Sequence, residues 1–423
     1  MIQKNHPPPA CPGLDRAHHS CATGTNNQNI RIHEEGTIAF FRIEVKVHVG
    51  SIGGAHVVAE ICRNGGNETK FGGEILTMDQ KPRFYFSTCQ IGAEKALKNE
   101  IAKHHPRLKF SFSRPGFITF KDDTAEGEPI LKVKSIFSRL WGVVLAQTKE
   151  RGKVDEVFAI IPQSAKVQAF SRDEFVPGDE PDRYSRDTPL LALLKEKSFK
   201  RANEANSVLG ESIYDLIWVD DFHLFLGMHV HAAHYDGSSG NLPKLSLPEK
   251  APSRAYLKIA EAVHRFKPEL PKGLQVIEVG CSPGGATSAL LGWGAQVVGV
   301  DPKRMDPEIE RNPNFRLIQK PANQVQAMEL KLVNPEWIVI DMNIAPLEAL
   351  DELSHVINCL RRNFDRKLLL KRGFLTIKLN DWKFADSIPL YLARIQEMGF
   401  RNLTATQLAS NRQEFFVMAN GFE

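Results

Sequence analysis

Residues 276–301 read VIEVGCSPGGATSALLGWGAQVVGVD, in which a glycine-rich turn and a further stretch separate two mainly apolar runs and Asp301 ends the second run. The run that starts at Val276 predicts a buried parallel strand. A glycine-rich turn, a helical stretch and a second apolar strand ending at Asp301 follow it. Glycines let the backbone approach a ligand closely, and an acid at this point can accept both hydroxyls of a ribose. The order of elements therefore indicates a crevice for an adenosine-containing cofactor.

The composition of the turn indicates which cofactor this is. The G-x-G step of a dinucleotide site is missing, and Pro283 removes a backbone donor that a phosphate would use. This argues against NAD and fits S-adenosylmethionine, which has an adenosine and an amino-acid tail but no phosphate. A tight turn without a ligand is the alternative, and the place of Asp301 argues against it. We expect the cofactor to contact Gly280, Ser282, Pro283, Gly284, Gly285, Asp301, Asn323 and Asp341, with Asn323 at the adenine edge.

Four ionisable residues lie at the edges of predicted core elements. Lys258 lies on a helix before the first strand, and Asp341 and Lys378 end two later strands. The carboxyl ends of parallel strands meet above the cofactor crevice, which places Asp341 and Lys378 there directly. Glu414 begins the last strand and joins them only if that strand is antiparallel, as is common at such sheet edges. Charged strand ends are often without function, but two bases and two acids beside a cofactor loop favour catalysis.

Composition limits the class of protein. The 423 residues contain 54 Lys and Arg against 50 Asp and Glu, and this net charge of +4 permits a nucleic-acid partner without requiring one. No apolar run of about 18 residues predicts a membrane span, and the N-terminus lacks the apolar core of a signal peptide. Six scattered cysteines without a C-x-x-C pair indicate reduced thiols, so we expect a cytoplasmic protein.

Elements and linkers divide the chain into segments. Residues 1–29 are predicted to be a disordered tail, and residues 30–81 have no assignment. Two α+β units are expected at residues 82–150 and 151–234, followed by a Gly-, Pro- and Ser-rich linker at residues 235–253. Strands and helices alternate in residues 254–423, which predicts a doubly wound α/β domain.

The segments LPKLSLPEKAPSRAYLKIAEA and EVGCSPGGATSALL resemble the FtsJ-type 2′-O-ribose methyltransferases. They are especially similar to the RlmM branch, which modifies a cytidine of large-subunit (23S) ribosomal RNA. The resemblance implies a Rossmann-like S-adenosylmethionine methyltransferase domain at residues 254–423. More weakly, it implies a ferredoxin-like unit and a THUMP-like domain at residues 82–234, a structured RNA partner and a monomer. The family carries a Lys-Asp-Lys-Glu tetrad, which falls on Lys258, Asp341, Lys378 and Glu414.

The tetrad implies a mechanism. A ribose 2′-hydroxyl is a poor nucleophile and must lose its proton, so we expect Lys378 to be the general base. An ordinary lysine is protonated at neutral pH, and the nearby cation Lys258 and partial burial favour a neutral amine. Asp341 and Glu414 oppose this effect and orient the lysines, so the titration belongs to the whole group.

Two positions depart from the family pattern. Ala286 stands where an aromatic residue is common, and we expect it to leave more room near the methionine tail. Asn411 stands where a histidine is expected. Neither change affects the tetrad, so they bear on substrate detail rather than on the reaction.

Other interpretations remain open. His223, His229, His231 and His234 cluster in FHLFLGMHVHAAH, and His229 and His231 would share one face of a strand, a spacing that zinc can use. Without a nearby acid or cysteine, a strand with polar edges is favoured. An RNA-binding homologue without catalysis would need a broken tetrad. A base-amine methyltransferase would carry N/D-P-P-[YF] at residues 341–344, which read DMNI. Basic RNA-contact candidates are Arg83, Lys109, Arg114, Arg139, Lys244 and Arg254.

Overall fold

The computed structural model describes residues 83–423 apart from residues 125–128, 174, 178–191, 193, 204–205, 221–222 and 236. All described residues belong to one compact unit, Phe71–Glu423. The predicted tail at residues 1–29 and the unassigned segment at residues 30–81 lie outside the described residues.

A mostly antiparallel sheet forms the N-terminal part of the described chain. Its strands are β1 (Arg83–Thr88), β2 (Leu108–Arg114), β3 (Phe117–Asp122), β4 (Leu140–Thr148), β5 (Lys166–Ser171), β6 (Lys200–Arg201), β7 (Ser212–Asp220) and β8 (His223–Val230). They follow the order β2-β3-β1-β4-β8-β7-β5-β6. β5 is parallel to β6 and β7, and the other neighbouring pairs are antiparallel.

Helices accompany this sheet in the part of the chain that the structure describes. Helix α1 (Glu94–His104) buries Ala96, Leu97 and Ile101, which lie on one face at helical spacing. Helix α2 is Val154–Ala159. Because β4 pairs with β8, the sheet continues without a break from residues 82–150 into residues 151–234. The division of this region into a ferredoxin-like and a THUMP-like unit stays a prediction.

A doubly wound α/β sheet forms the C-terminal part, as the alternating pattern predicted. Its strands are β9 (Gln275–Val279), β10 (Gln296–Val300), β11 (Phe315–Ile318), β12 (Trp337–Asp341), β13 (Arg372–Lys378), β14 (Leu403–Thr406) and β15 (Glu414–Asn420). The order is β11-β10-β9-β12-β13-β15-β14. The first five strands in this order are parallel, and β15 is antiparallel to both β13 and β14.

Helices cover both faces of the C-terminal sheet. They are α3 (Ala255–Phe266), α4 (Gly285–Gly292), α5 (Pro307–Glu310), α6 (Pro346–Phe364) and α7 (Ile388–Glu397). One face packs Ile277 and Ile340 with Leu353 of α6. The other face packs Val276 and Trp337 with helices α3 and α4. Strands buried on both faces have nearly continuous apolar sequences, which is why these runs could be found without alternation.

The apolar cluster that contains Ile277, Ile340 and Leu353 also joins the two sheets. It contains Tyr85 and Trp141 of the N-terminal sheet together with Ile277 and Leu353 of the C-terminal part. At this border the ring of Trp382, in a 3₁₀ turn (Trp382–Ser387), meets the ring of Phe137 edge-on at 5.8 Å between centroids. The two sheets therefore share one core in the described unit.

The predicted linker at residues 235–253 is anchored to the N-terminal sheet at its start. The buried Asn241 side chain donates a hydrogen bond from Nδ2 to the Arg139 carbonyl at 2.8 Å. A Cβ at Gly240 would lie 3.0 Å from the Phe170 ring. Among the residues that the structure describes, no helix has both the length and the apolar character needed to cross a membrane.

Candidate active site

The glycine-rich turn follows β9 at the carboxyl edge of the C-terminal sheet. Gly280 has a φ of +80°, a left-handed conformation that favours glycine, and a Cβ there would lie 2.5 Å from Met342 Cγ. Gly284 also has a positive φ, +117°. The sequence placed this turn correctly between a strand and a helix, since α4 begins at Gly285.

Gly285 allows two helices to approach each other. A Cβ at this position would lie 2.2 Å from Ser253 Oγ, 2.7 Å from the Ser253 carbonyl oxygen and 3.0 Å from Tyr256 N. The start of α4 therefore packs directly against the start of α3, the helix that carries Lys258. The sequence predicted only a cofactor contact for Gly285, and the structure adds this packing role.

Asp301 follows β10 and returns to the glycine-rich turn. Its Oδ2 accepts a hydrogen bond from Ser282 N at 3.0 Å, and its Oδ1 accepts one from Lys303 N at 2.8 Å. The side chain is buried, with 8% exposed. A carboxylate held in this way faces the turn with a fixed orientation. Each oxygen keeps a second acceptor position, because a carboxylate offers about four lone-pair sites.

The four ionisable residues form one contact group. Lys258 Nζ lies 2.8 Å from Asp341 Oδ2 and 2.8 Å from Glu414 Oε1. Lys378 Nζ bonds Glu414 Oε2 and lies 3.7 Å from Asp341 Oδ1. Each lysine thus faces both carboxylates. We call this group the tetrad.

Strand pairing explains how Glu414 reaches the group. β15 is antiparallel to β13, and Glu414 lies directly opposite Lys378 in the register. The first residue of an antiparallel strand then meets the last residue of its neighbour. Glu414 was expected to join the group only if its strand is antiparallel, and the strand is antiparallel.

Opposite charges fix the ionisation of the buried members. Burial opposes the charged form of Lys258, but Asp341 and Glu414 outweigh it, so the pKa of Lys258 is raised. Burial likewise opposes the carboxylate of Glu414, yet Lys258 and Lys378 lower its pKa. Lys258 therefore stays an ammonium and Glu414 a carboxylate. Lys378 is the most exposed of the four side chains, at 21%.

Comparison with known proteins identifies the domain that carries the tetrad. Residues 251–420 match the sequence profile of the FtsJ-like methyltransferases. The C-terminal region is an FtsJ-like methyltransferase domain. Its cofactor is S-adenosylmethionine, and the chain is an enzyme of methyl transfer.

Curated relatives extend over most of the chain. A ribosomal RNA large subunit methyltransferase M of Tolumonas auensis is 24% identical over 358 residues, covering 78% of this chain and 93% of the relative. A protein of the same name from Salmonella arizonae is 27% identical over 360 residues, covering 78% of this chain and 94% of the relative. The similarity therefore includes the N-terminal sheet as well as the FtsJ-like domain.

The solved structures that match this chain are less similar to it in sequence. A TehB-like SAM-dependent methyltransferase from Corynebacterium glutamicum is 19% identical, covers 40% of this chain and 88% of that chain, and gives a TM-score of 0.28. TrmN from Thermus thermophilus is 15% identical, covers 80% and 99% respectively, and gives a TM-score of 0.30. Neither likeness bears on the activity, because both TM-scores are low.

Glu278 is a buried acid of the FtsJ-like domain that the sequence analysis missed. It lies in β9, is 2% exposed and accepts a hydrogen bond from Thr287 Oγ1 at 2.7 Å. Burial, with smaller contributions from Asp341 and Asp301, raises the pKa of Glu278 to about 8. Its signal was visible, since it is the one charged residue in the apolar run VIEV.

Three other positions that the sequence singled out, Asn323, Ala286 and Asn411, are not members of the tetrad. Asn323 lies in a 3₁₀ turn (Ala322–Gln324) after β11, is exposed, and donates from its backbone N to Glu352. Ala286 is buried and packs with residues of α3 and α4. The expectation that Ala286 leaves more room near the methionine tail stays a prediction. Asn411 is also buried and hydrogen-bonds the tetrad.

The histidine cluster has protein partners. His229 Nδ1 lies 2.8 Å from Asp215 Oδ2, so an acid is near, contrary to the expectation from sequence. His223 Nε2 lies 2.8 Å from Gln147 Oε1, and burial lowers the pKa of His223 to about 4. Within the described residues, no three His, Cys, Asp or Glu side chains are arranged to hold a metal ion.

Two of the basic RNA-contact candidates have intramolecular roles. Arg139 is buried and forms an ion pair with Asp173, 2.7 Å from Nη1 to Oδ2, so it does not face a partner. Arg114 pairs with Asp220 at 2.8 Å and remains half-exposed. Lys109 is exposed on the edge strand β2.

Proposed function

We propose that this protein transfers a methyl group from S-adenosylmethionine to a ribose 2′-hydroxyl of large-subunit ribosomal RNA. A cytidine is the favoured nucleotide, because the chain resembles the RlmM branch. The observation that carries the proposal is the tetrad, in which two lysines and two carboxylates meet beside the glycine-rich turn.

The residues of the turn fit this cofactor. Asp301 offers a fixed carboxylate for ribose hydroxyls, and residues 280–285 contain no lysine or arginine to balance a phosphate. Gly280, Ser282, Pro283 and Gly284 would line the methionine end. Asp341 borders the same turn, because its carbonyl oxygen would lie 3.1 Å from a Cβ at Gly280. Bound S-adenosylmethionine supplies an electrophilic methyl group.

The tetrad would prepare the hydroxyl for attack. Lys258 stays charged between Asp341 and Glu414, so we assign it an orienting and electrostatic role. Lys378, the most exposed member, would accept the 2′-hydroxyl proton at Nζ while the oxygen attacks the methyl group. Asp341 and Glu414 would hold the Lys258 ammonium in place, orient the neutral Lys378 amine that takes the proton, and stabilise the Lys378 ammonium that then forms. Alignment of the hydroxyl with the methyl group would supply much of the rate.

The N-terminal sheet would bind the RNA. The curated relatives cover this region too, and their printed names refer to ribosomal RNA. Structured RNA is recognised by shape and backbone contacts, which leave little signal in sequence. The location in the cytoplasm and the monomeric state stay predictions.

Two measurements test the proposal. Mass spectrometry of ribosomal RNA from cells with and without the gene should show the loss of one 2′-O-methyl nucleotide in the large-subunit RNA. Purified Lys378→Ala should bind S-adenosylmethionine with an affinity close to that of wild type and lose methyl transfer. An unchanged nucleotide profile would refute the substrate, and a fully active Lys378→Ala would refute the base.

A further inference from the structure

Glu261 is a buried carboxylate in the same helix as Lys258. It lies three positions later in α3, on the same face of the helix, and is 1% exposed. A buried acid is costly unless its oxygens are hydrogen-bonded. The partners of Glu261 therefore indicate what it does.

Its partners belong to the 407–413 loop, which joins β14 to β15. Glu261 Oε1 accepts a hydrogen bond from Ala409 N at 2.7 Å. Oε2 accepts from Ser410 N at 2.8 Å and from Ser410 Oγ at 2.7 Å. Three donors from two adjacent residues fix the middle of this loop against α3.

The next residues of the loop hold Glu414. Asn411 is fully buried; its Oδ1 accepts from Leu408 N at 2.9 Å, and its Nδ2 donates to Glu414 Oε1 at 3.2 Å. Arg412 N donates to the same oxygen at 3.2 Å. The other oxygen, Oε2, bonds Lys378. The loop thus decides how the Glu414 carboxylate is turned between the two lysines.

We propose that Glu261 is a positioning residue of the tetrad. One helix presents Lys258 to Glu414 and, one turn later, holds the loop whose Asn411 and Arg412 orient the same carboxylate. The expected effect on catalysis rests on the proposed methyl transfer. The geometric part, which is the orientation of Glu414 by the loop, does not.

Glu261→Gln tests it with little change in shape. Ala409 N and Ser410 N bond different oxygens of Glu261, so in the present arrangement the NH₂ group of a glutamine would face one of these two donors. The loop must move, and the hold on Glu414 loosens. We expect kcat for methyl transfer to fall about 10- to 100-fold, with KM for RNA and affinity for S-adenosylmethionine nearly unchanged. The pH profile of kcat should shift, because it reports the coupled tetrad.

A second readout does not depend on activity. Carboxyl ¹³C NMR should show a higher titration midpoint for Glu414 in Glu261→Gln and in Asn411→Ala, because both variants weaken bonds to its charged form. Asn411→Ala leaves Glu261 intact, so it tests whether the 407–413 loop orients Glu414 even if Glu261→Gln folds poorly; an unchanged midpoint in Asn411→Ala would overturn the proposal.

Asn334→Ala is the matched control. Asn334 also holds a loop by hydrogen bonds, since it accepts one from Leu369 N at 2.8 Å and donates one to the Lys367 carbonyl at 2.9 Å. These residues precede β12 and β13, so they lie at the edge of the sheet opposite the tetrad. Asn334→Ala should lower stability and leave kcat, the pH profile and the Glu414 midpoint unchanged. Wild-type values of all three in Glu261→Gln would overturn the positioning role. A wild-type protein that does not methylate ribosomal RNA would instead overturn the proposed function, and the NMR result would still decide the geometric part.

Discussion

Glu278 shows how one side chain can make stability depend on pH. Its folded-state pKa, about 8, lies above the ordinary glutamate value of 4.5. The folded state therefore holds the proton between these two values and the unfolded state does not. The stabilisation is complete below pH 4.5 and is lost as pH rises through 8.

Glu278→Gln should remove this dependence, because an amide stays neutral and its oxygen can still accept from Thr287. Between pH 5 and 8 the wild type should lose stability relative to Glu278→Gln, with a slope of up to about 1.4 kcal/mol per pH unit. Urea unfolding at several pH values measures it. Glu308→Gln, on the exposed side of α5, is the control. Parallel stability curves for wild type and Glu278→Gln would contradict the buried neutral acid.

Lys258 stabilises two carboxylates at once. Lys258→Met should leave Glu414, 1% exposed, with less positive charge and destabilise the protein by about 2–4 kcal/mol at neutral pH. The difference should narrow as pH falls through the pKa of Glu414, since a protonated Glu414 no longer needs the cation. Lys320→Met, which breaks the exposed Lys320–Glu329 pair, should change stability by less than about 1 kcal/mol. Equal losses in the two variants would contradict the role of burial.

At the scale of elements, the approach of α3 to α4 sets the position of Lys258. Gly285→Ala would place a Cβ against the Ser253 backbone, so we expect a loss of about 1–3 kcal/mol and reduced methyl transfer. Gly292→Ala in the same helix meets no atom within 4 Å and should be neutral or slightly stabilising. Thermal unfolding of both variants compares them. An unchanged Tm for Gly285→Ala would contradict the packing role of Gly285.

Sequence patterns predicted the elements of the FtsJ-like domain better than the contacts between them. Asp341 and Lys378 could be placed at one edge of the sheet, because each ends a strand and the two strands are parallel. Glu261 gave no such signal, because its partner Ala409 lies 148 positions away and only the packed fold brings them together. The same holds for Gly285, whose neighbour Ser253 lies before β9 in the chain. It also holds for Ala286, whose place in the core depends on where α4 packs.

At the scale of the whole molecule, the two sheets share one apolar core. Trp382 of the FtsJ-like domain packs on Phe137, and a Cβ at Gly92 would lie 3.3 Å from its indole nitrogen. The 407–413 loop adds polar links to the N-terminal part, through Gln407 N to the Ile136 carbonyl at 2.8 Å and Arg412 Nε to the Pro177 carbonyl at 3.0 Å. The loop that orients Glu414 is thus fixed to both parts. If the N-terminal sheet binds the RNA, its orientation decides where the ribose meets the tetrad.

Trp382→Ala should weaken this shared border. We expect about 2 kcal/mol of lost stability and unfolding in two steps, because each sheet keeps most of its own core. KM for RNA should rise severalfold while affinity for S-adenosylmethionine stays unchanged, since the glycine-rich turn is not touched. Trp293→Ala is the matched control: Trp293 is also half-buried but packs only within the FtsJ-like domain, so it should lower Tm without splitting the transition. Calorimetry and steady-state kinetics measure both. A single transition and an unchanged KM in Trp382→Ala would show that the border does not set the geometry of the RNA.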